Sequence, residues 1–297
     1  MFRGLSAFPL TPISEGGIDE TAFVRLIERL VIAGVDSICA LGSTGNYAYL
    51  TLAERKRAAQ LAVEHAAGVP VMIGIGALRT RDVLALAEHA QEAGATGVLL
   101  APVSYQKLTD DEVFGLYETV TRSLSIPLCV YDNPGTTHFE FSDPLHGQIA
   151  ELPHVGSIKI PGVPFNPEAA SERVRRLRAL IPSHVTIGVS GDRSAAIGLN
   201  AGCEAWYSVI GGLFPKAALA IARAAQVGHA GEAARLSERL EPLWTMFSQH
   251  GSLRVVAAAA ELRELAVSPS LPLPLKGLDG AAQSHLADLL DKLELAE

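Results

Sequence analysis

Short apolar segments alternate with longer amphipathic segments along most of the chain, at roughly 28 residues per cycle. Eight apolar segments are short and rich in aliphatic residues, as strands buried on both faces of a parallel sheet are. They are Leu5–Pro12, Ser37–Gly42, Val69–Gly76, Gly97–Pro102, Ile126–Asn133, Val155–Ile160, Val185–Ser190 and Ala205–Ile210.

The amphipathic segments between them repeat apolar residues at helical spacing. The pattern predicts helices over Glu20–Ala33, Leu52–Ala67, Arg81–Ala93, Asp110–Leu124, Pro144–Leu152, Pro167–Leu180, Ser194–Ala201 and Pro215–Val227. Capping residues precede five of these helices, namely Thr51, Thr80, Thr109, Ser142 and Asn166. Eight strand–helix units predict a (β/α)₈ barrel in residues 1–228, and an open doubly wound sheet is the alternative.

The strand pattern stops after Gly228, and the rest of the chain reads as helical. We predict three helices there, over Gly231–Gln249, Leu253–Val267 and Ala281–Leu295. The chain would then consist of a (β/α)₈ barrel, residues 1–228, and a C-terminal three-helix region, residues 229–297. A region this small does not easily form its own core, so we expect it to pack on the barrel or on a neighbouring subunit.

Composition narrows the class of partner. Lysine and arginine number 24 against 32 acidic residues, a formal net charge of −8, and no basic surface for nucleic acid or anionic lipid is evident. The first residues lack the apolar region of a signal peptide, and no apolar run approaches the roughly 20 residues of a membrane span. Three isolated cysteines, Cys39, Cys129 and Cys203, suit neither a disulfide framework nor a zinc site. We therefore expect a cytoplasmic protein with a small, soluble ligand.

One lysine has a setting unlike that of the other five. Lys159 lies in the sixth predicted strand between Ile158 and Ile160, where alternation can turn a side chain towards the barrel interior. Burial disfavours the charged form of an amine, and the free amine can attack a carbonyl. An interior lysine can equally neutralise a buried carboxylate. The pattern alone leaves both interpretations open.

Hydroxyl groups follow two other strands at the edge where barrel active sites lie. Tyr131 ends the fifth predicted strand, one strand from Lys159, and a phenol there can pass protons to the oxygen lost in imine formation. The turn from Gly42 through Ser43 and Thr44 to Gly45 can present N–H and O–H groups to a carboxylate. Packing alone also explains a strand-end tyrosine, and a plain tight turn also explains the glycines.

These motifs resemble those of the pyruvate-dependent class I aldolases and lyases, the family of dihydrodipicolinate synthase and N-acetylneuraminate lyase. The family's Gly-[Thr/Ser]-Thr-Gly turn resembles Gly42–Gly45, and its Tyr-Asn-x-Pro turn resembles Tyr131–Pro134. Its Ile-Lys strand resembles Ile158–Lys159, and its Ser-Gly-Asp turn resembles Ser190–Asp192. Four motifs in order are much more specific than any one, and the resemblance extends through the helical tail.

The resemblance implies a Schiff-base lyase, an aldolase or dehydratase, that acts on pyruvate or a related 2-oxo acid without a metal or other cofactor. Lys159 would form the imine, Tyr131 would shuttle protons and Thr44 would link the relay. Ser43 and Thr44, between Gly42 and Gly45, would hold the substrate carboxylate. It also implies a homo-oligomer, a dimer or tetramer, in which Tyr105 could reach a neighbouring subunit's site.

The chain departs from the family pattern around the second substrate. Synthases that condense pyruvate with aspartate semialdehyde carry an arginine after the tyrosine, at the place of Thr136. Asn46 replaces the family's usual Glu after the glycine turn, and Ile160 follows the lysine where many synthases have Glu. We therefore expect a hydroxyl-rich second pocket, which suits a neutral polyol or an aromatic partner. Its candidate residues are Tyr47, Tyr49, Thr136, Thr137, His138 and Tyr207.

Several function classes remain in competition on the sequence. 4-Hydroxy-tetrahydrodipicolinate synthase is the alternative within the family, and a non-catalytic barrel that only binds a keto acid is another. A metal-dependent aldolase or hydrolase is disfavoured, because the nine histidines are isolated and form no His-x-His or His-Glu-x-x-His pattern. A phosphate-binding barrel enzyme, suggested by Gly191, Gly211 and Gly212, would leave the lysine and tyrosine unexplained.

Overall fold

The structure of this protein is a computed structural model, and it describes residues 2–14 and 16–295. Eight parallel strands form a closed barrel in which each strand lies beside the next one along the chain. They are β1 Gly4–Ala7, β2 Ser37–Ala40, β3 Val71–Gly74, β4 Gly97–Leu100, β5 Leu128–Tyr131, β6 Val155–Ile160, β7 Thr186–Val189 and β8 Ala205–Ser208. Because β1 pairs with both β2 and β8, the predicted barrel is confirmed and the open sheet is excluded.

Helices follow every strand and form the outer layer. They are α1 Glu20–Ala33, α2 Leu52–Glu64, α3 Thr80–Glu92, α4 Asp110–Thr121, α5 Pro134–Thr137, α6 Asp143–Ala150, α7 Pro167–Arg178, α8 Ala195–Asn200 and α9 Pro215–Gln226. Thr51 and Thr109 form capping boxes with Glu54 and Glu112, which satisfies N–H groups that the first turn leaves unpaired. Thr80, predicted as a cap, is instead the first residue of α3.

The barrel has a core of its own, separate from the larger core between strands and helices. Its members are Phe8, Cys39, Met72, Leu99, Ala101, Cys129, Tyr131, Ala205 and Tyr207. Gly188 on β7 makes room for one of them, because a Cβ at this position would lie 2.2 Å from Cε2 of Tyr207. The Tyr207 ring therefore lies across β7 and fills the barrel at that level.

The C-terminal region contains four helices within the described residues, not the predicted three: α10 Ala230–Arg239, α11 Glu241–His250, α12 Ser252–Leu262 and α13 Gly280–Lys292. The segment predicted as one helix over Gly231–Gln249 divides at Leu240, immediately before the first turn of α11, which contains Pro242. Proline has no N–H for the helical ladder and restricts the residue before it, so it favours a new first turn.

The tail braces the barrel near the end of β7. α10 packs on α8 and α9, and Glu241 of α11 forms an ion pair of 2.6 Å with Arg193 in the turn after β7. No described helix is both long and apolar enough to cross a membrane.

Candidate active site

Lys159 lies on β6 with its amine inside the barrel. The residue is 4% exposed, and Nζ lies 3.9 Å from the centre of the Phe8 ring and 4.0 Å from the centre of the Tyr131 ring. Among residues 2–14 and 16–295, no carboxylate forms an ion pair with it. The structural ion pair considered from sequence is therefore not found there, and an amine between two aromatic rings is placed to react with a carbonyl.

Tyr131 ends β5 directly opposite Lys159, since these two residues are register partners of adjacent strands. Its hydroxyl lies 3.1 Å from Oγ of Ser43 and accepts a hydrogen bond of 2.8 Å from Nδ2 of Asn133. Asn133 was not among the functional residues predicted from sequence, although it stands in the Tyr-Asp-Asn-Pro motif. The phenol thus has two polar partners, one of which can exchange a proton with it.

The hydroxyl that reaches Tyr131 belongs to Ser43 and not to Thr44, on which the predicted relay depended. Thr44 is buried, and its side chain makes no hydrogen bond with any residue that the structure describes. A proton relay through the Tyr131 hydroxyl would therefore use Ser43, and Thr44 stays a candidate for binding the substrate carboxylate.

The turn between β2 and α2 is closed by a hydrogen bond of 2.9 Å from the Gly45 N–H to the Gly42 carbonyl. A Cβ on Gly42 would lie 2.5 Å from the Phe8 ring, so only glycine lets the turn approach the ring that flanks the reactive amine. The N–H groups of Ser43 and Thr44 have no hydrogen-bond partner within the described chain. Two adjacent free N–H groups are suited to a carboxylate.

Tyr207, predicted to bind substrate, is 1% exposed and already hydrogen-bonded. Its hydroxyl lies 2.6 Å from Oγ of Ser157 and accepts a hydrogen bond from the Cys129 thiol. Ser157 precedes Lys159 by two residues on β6, so the Tyr207 hydroxyl points one layer below the amine. Tyr207 therefore forms the floor of the site, where burial raises the pKa of the neighbouring Cys129 thiol to about 11 and keeps that thiol protonated.

The remaining candidates differ in how exposed they are and in what they contact. Thr137 is buried and donates a hydrogen bond of 3.0 Å to the Asn133 carbonyl, which fixes α5, whereas Thr136 is exposed. Tyr105, after β4, is 91% exposed. Tyr47 lies beside the guanidinium of Arg55, and Tyr49 and His138 are exposed.

The Ser-Gly-Asp turn after β7 has a structural basis. Asp192 is buried and accepts hydrogen bonds from the Trp206 indole at 3.0 Å, the Val209 N–H at 3.2 Å and the Ile210 N–H at 2.7 Å. Burial raises the pKa of its carboxyl group above the usual value, and these donors offset only part of that rise. Asp192 thus joins the ends of β7 and β8 and holds the rim of the barrel in place.

Two other features bear on ligand binding. Within the residues described here, no group of three His, Cys, Asp or Glu side chains is placed to hold a metal ion. A cavity of about 530 Å³ lies in the C-terminal region, and its lining includes Ala258, Pro269, Leu275 and Lys276 but none of the site residues above. That cavity is separate from the reactive amine.

Comparison with known proteins decides the family. A family profile described as the dihydrodipicolinate synthetase family matches residues 1–293. The chain belongs to this family. A 4-hydroxy-tetrahydrodipicolinate synthase of Rhodospirillum centenum is 30% identical over 281 residues, with 92% of each chain covered. The family assignment confirms the resemblance found in the sequence and makes the protein an enzyme of the class I aldolase type.

Solved structures agree with the family assignment. A dihydrodipicolinate synthase structure from Agrobacterium tumefaciens superposes with a TM-score of 0.94 at 44% identity and covers 98% of both chains. YagE of Escherichia coli K12, a family member solved in complex with pyruvate, superposes with a TM-score of 0.90 at 26% identity and covers 99% of both chains. Both structures thus share the barrel and its helical tail with this chain over nearly their full length.

Proposed function

We propose that this protein is a Schiff-base lyase, an aldolase or a dehydratase, that acts on pyruvate or a related 2-oxo acid through an imine on Lys159. One observation carries the proposal: the Lys159 amine lies between the Phe8 and Tyr131 rings, without a carboxylate partner in the described chain, opposite the Tyr131 phenol. The YagE complex, in which a relative binds pyruvate, supports the choice of ligand.

The proposed chemistry uses only groups of this chain. The amine adds to the C2 carbonyl carbon of the 2-oxo acid, and Tyr131 delivers a proton to the carbonyl oxygen. The added nitrogen gives up one of its protons to Tyr131, which passes it to the same oxygen. That oxygen then leaves as water, and a protonated imine remains. The imine accepts an electron pair from the adjacent carbon, which loses either a proton or a carbon–carbon bond to give an enamine.

Substrate orientation in this account depends on the turn after β2. The free N–H groups of Ser43 and Thr44 and the Thr44 hydroxyl would bind the carboxylate of the 2-oxo acid. Ser43 would exchange a proton with Tyr131, from which it lies 3.1 Å away. This division assigns binding to one hydroxyl of the turn and proton transfer to the other.

A second candidate is 4-hydroxy-tetrahydrodipicolinate synthase, which condenses pyruvate with aspartate semialdehyde. The names of the curated relatives, at about 30% identity, favour it. The turn after β5 argues against this candidate, because Thr136 offers an exposed hydroxyl where those synthases carry an arginine. Arg193, in the turn after β7, is already paired with Glu241 at 2.6 Å. A neutral second substrate, or cleavage without one, fits this rim better.

A substrate panel tests the proposal. Pyruvate release or consumption is measured with sugar-derived 2-keto acids, arylidene pyruvates and aspartate semialdehyde, alongside a Lys159→Met control that keeps the bulk of the side chain but has no amine. We expect turnover of a keto acid with a neutral remainder and none in the control. Turnover of aspartate semialdehyde alone would establish the second candidate. Pyruvate binding without turnover of any compound would indicate a non-catalytic keto-acid-binding barrel.

We also propose a homo-oligomer, a dimer or tetramer, located in the cytoplasm. Three buried free cysteines are compatible with a reducing compartment. Exposed Tyr105, together with exposed Leu78 and Tyr49 on neighbouring loops, provides apolar surface for a subunit contact. Sedimentation equilibrium of the wild type and of Tyr105→Ala tests this, and a wild type that stays monomeric would contradict it.

A further inference from the structure

A buried acid and a buried histidine lie directly behind the Tyr131 phenol. Alternation along β5 turns Tyr131 into the barrel and Asp132 outwards, against α6. There Oδ2 of Asp132 lies 3.5 Å from Nε2 of His146, with Asp132 at 5% and His146 at 0% exposure. The proposed reaction does not use either side chain.

The pair has few other partners. Oδ1 of Asp132 and both ring nitrogens of His146 form no hydrogen bond with described residues. The His146 ring stacks on Phe141, with ring centres 4.9 Å apart and planes 2° from parallel. Stacking holds the imidazole in a plane in which Nε2 faces the carboxyl group.

Charged groups around the pair come from two helices and one loop. Arg173 of α7 forms an ion pair of 2.9 Å with Asp143 of α6, and Glu140 belongs to the loop before α6. Arg173 stabilises a negative Asp132, whereas Glu140 and Asp143 disfavour it. Tyr117 of α4 is also close, but its hydroxyl donates to the Leu100 carbonyl. The neighbouring charges thus oppose one another and leave burial as the largest influence.

Burial favours a neutral pair. An unpaired buried charge is costly, and one proton between a carboxylate and an imidazole removes it. Burial raises the pKa of Asp132 to about 7 and lowers the pKa of His146 to about 4. The proton therefore resides on the carboxyl group, whose Oδ2 faces Nε2 of His146 across 3.5 Å.

The pair is coupled to the site through the backbone. The Asp132 N–H donates a hydrogen bond of 3.0 Å to the carbonyl of Lys159. Asp132 also lies between Tyr131 and Asn133, which are joined by the hydrogen bond of 2.8 Å from the amide to the phenol. A side chain anchored at this point fixes the end of β5 and thereby the position of the phenol.

We propose that Asp132 and His146 share one proton and act together as a positioning pair for Tyr131. The positioning part rests on the proposed function of Tyr131, whereas the shared proton does not. The pair changes neither the chemistry nor the ligand of the site. It holds the phenol in line with the Lys159 amine as long as the proton is present.

The stability of single variants tests the shared proton without any substrate. Between about pH 4 and 6.5 the unfolded chain carries one proton on His146 and the folded chain carries one on Asp132, so the intact pair adds no pH dependence. Asp132→Asn leaves a histidine with a lowered pKa, so its stability relative to wild type falls as the pH drops through this range. His146→Phe leaves an acid with a raised pKa, so its relative stability falls as the pH rises.

The measurement is urea unfolding at several pH values, with Asp111→Asn and His184→Phe as exposed controls. We expect opposite slopes for the two variants, each approaching about tenfold in the unfolding equilibrium constant per pH unit, and no slope in the controls. If His146→Phe does not fold, His146→Gln takes its place. Two variants that parallel the wild type at all pH values would overturn the shared proton.

Positioning is tested by the Cζ NMR signal of Tyr131 in the ligand-free protein, assigned with Tyr131→Phe. We expect a shift that titrates near pH 7 in the wild type and is lost in Asp132→Asn, in which the pair stays neutral above about pH 4. In turnover assays, the kcat of the wild type should fall relative to Asp132→Asn above that pH, with KM unchanged. A Tyr131 signal that titrates in Asp132→Asn as it does in the wild type would overturn the positioning role. Failure to find any substrate would instead affect only the proposed function.

Discussion

Removal of the two hydroxyls of the turn after β2 should change different kinetic constants: kcat for Ser43 and KM for Thr44. Ser43→Ala deletes one of two polar partners of the Tyr131 phenol, the one at 3.1 Å, and leaves Asn133 at 2.8 Å. A hydrogen bond of this kind is worth about 1 kcal/mol, which corresponds to a loss of roughly five- to tenfold in kcat. Tyr131→Phe removes the proton carrier itself and should cost about 100-fold or more.

Thr44→Val removes a hydroxyl that faces no protein partner in the described chain and keeps the side-chain volume. Its loss should weaken carboxylate binding by about 1.5 to 3 kcal/mol, a rise in KM of about tenfold or more, with kcat nearly unchanged. Steady-state kinetics with the substrate found in the panel separate the two effects, and Ser43→Thr, which retains a hydroxyl, should restore kcat. A large fall of kcat in Thr44→Val together with normal kcat in Ser43→Ala would refute this assignment and restore Thr44 as the relay.

Two further predictions concern the floor of the site. Tyr207→Phe removes a hydroxyl bonded to Ser157 at 2.6 Å, so urea unfolding should show a loss of about 1–2 kcal/mol, while KM stays within about twofold. A larger rise in KM would mean that this hydroxyl binds substrate after all. Gly188→Ala places a Cβ 2.2 Å from Cε2 of Tyr207 and should destabilise the fold by about 1–3 kcal/mol. Combination with Tyr207→Val should recover part of that loss, and an unchanged unfolding midpoint in Gly188→Ala alone would refute the close contact.

The architecture could be predicted from sequence because the spacing of apolar residues distinguishes the strand from the helix in each strand–helix unit. Strands such as Gly97–Leu100 are continuous apolar runs, and helices begin at capping residues such as Thr51 and Thr109. Lys159 could be singled out because it is a charged residue between two isoleucines of a short strand. The tail was divided wrongly, and Pro242 was the available signal that a new helix starts there.

The details of the site were less accessible, because they depend on contacts between distant parts of the chain. Neither Ser43 nor Thr44 shows in sequence which way its side chain leaves the turn, since that follows from the turn backbone and from Phe8 packed against Gly42. Tyr207 is buried because Gly188 on the adjacent strand leaves space for its ring. His146 reaches Asp132 only through the docking of α6 on the sheet. Side-chain direction and helix docking are tertiary properties.

Reductive trapping tests the central claim most directly. The protein is incubated with pyruvate and borohydride, and intact mass and peptide mass spectrometry follow, with Lys159→Met and a sample without pyruvate as controls. We expect one stable adduct per chain, located on the peptide that contains Lys159 and missing from both controls. A folded protein that gains no adduct, or that gains it on another lysine, would contradict the assignment of Lys159 as the Schiff-base residue.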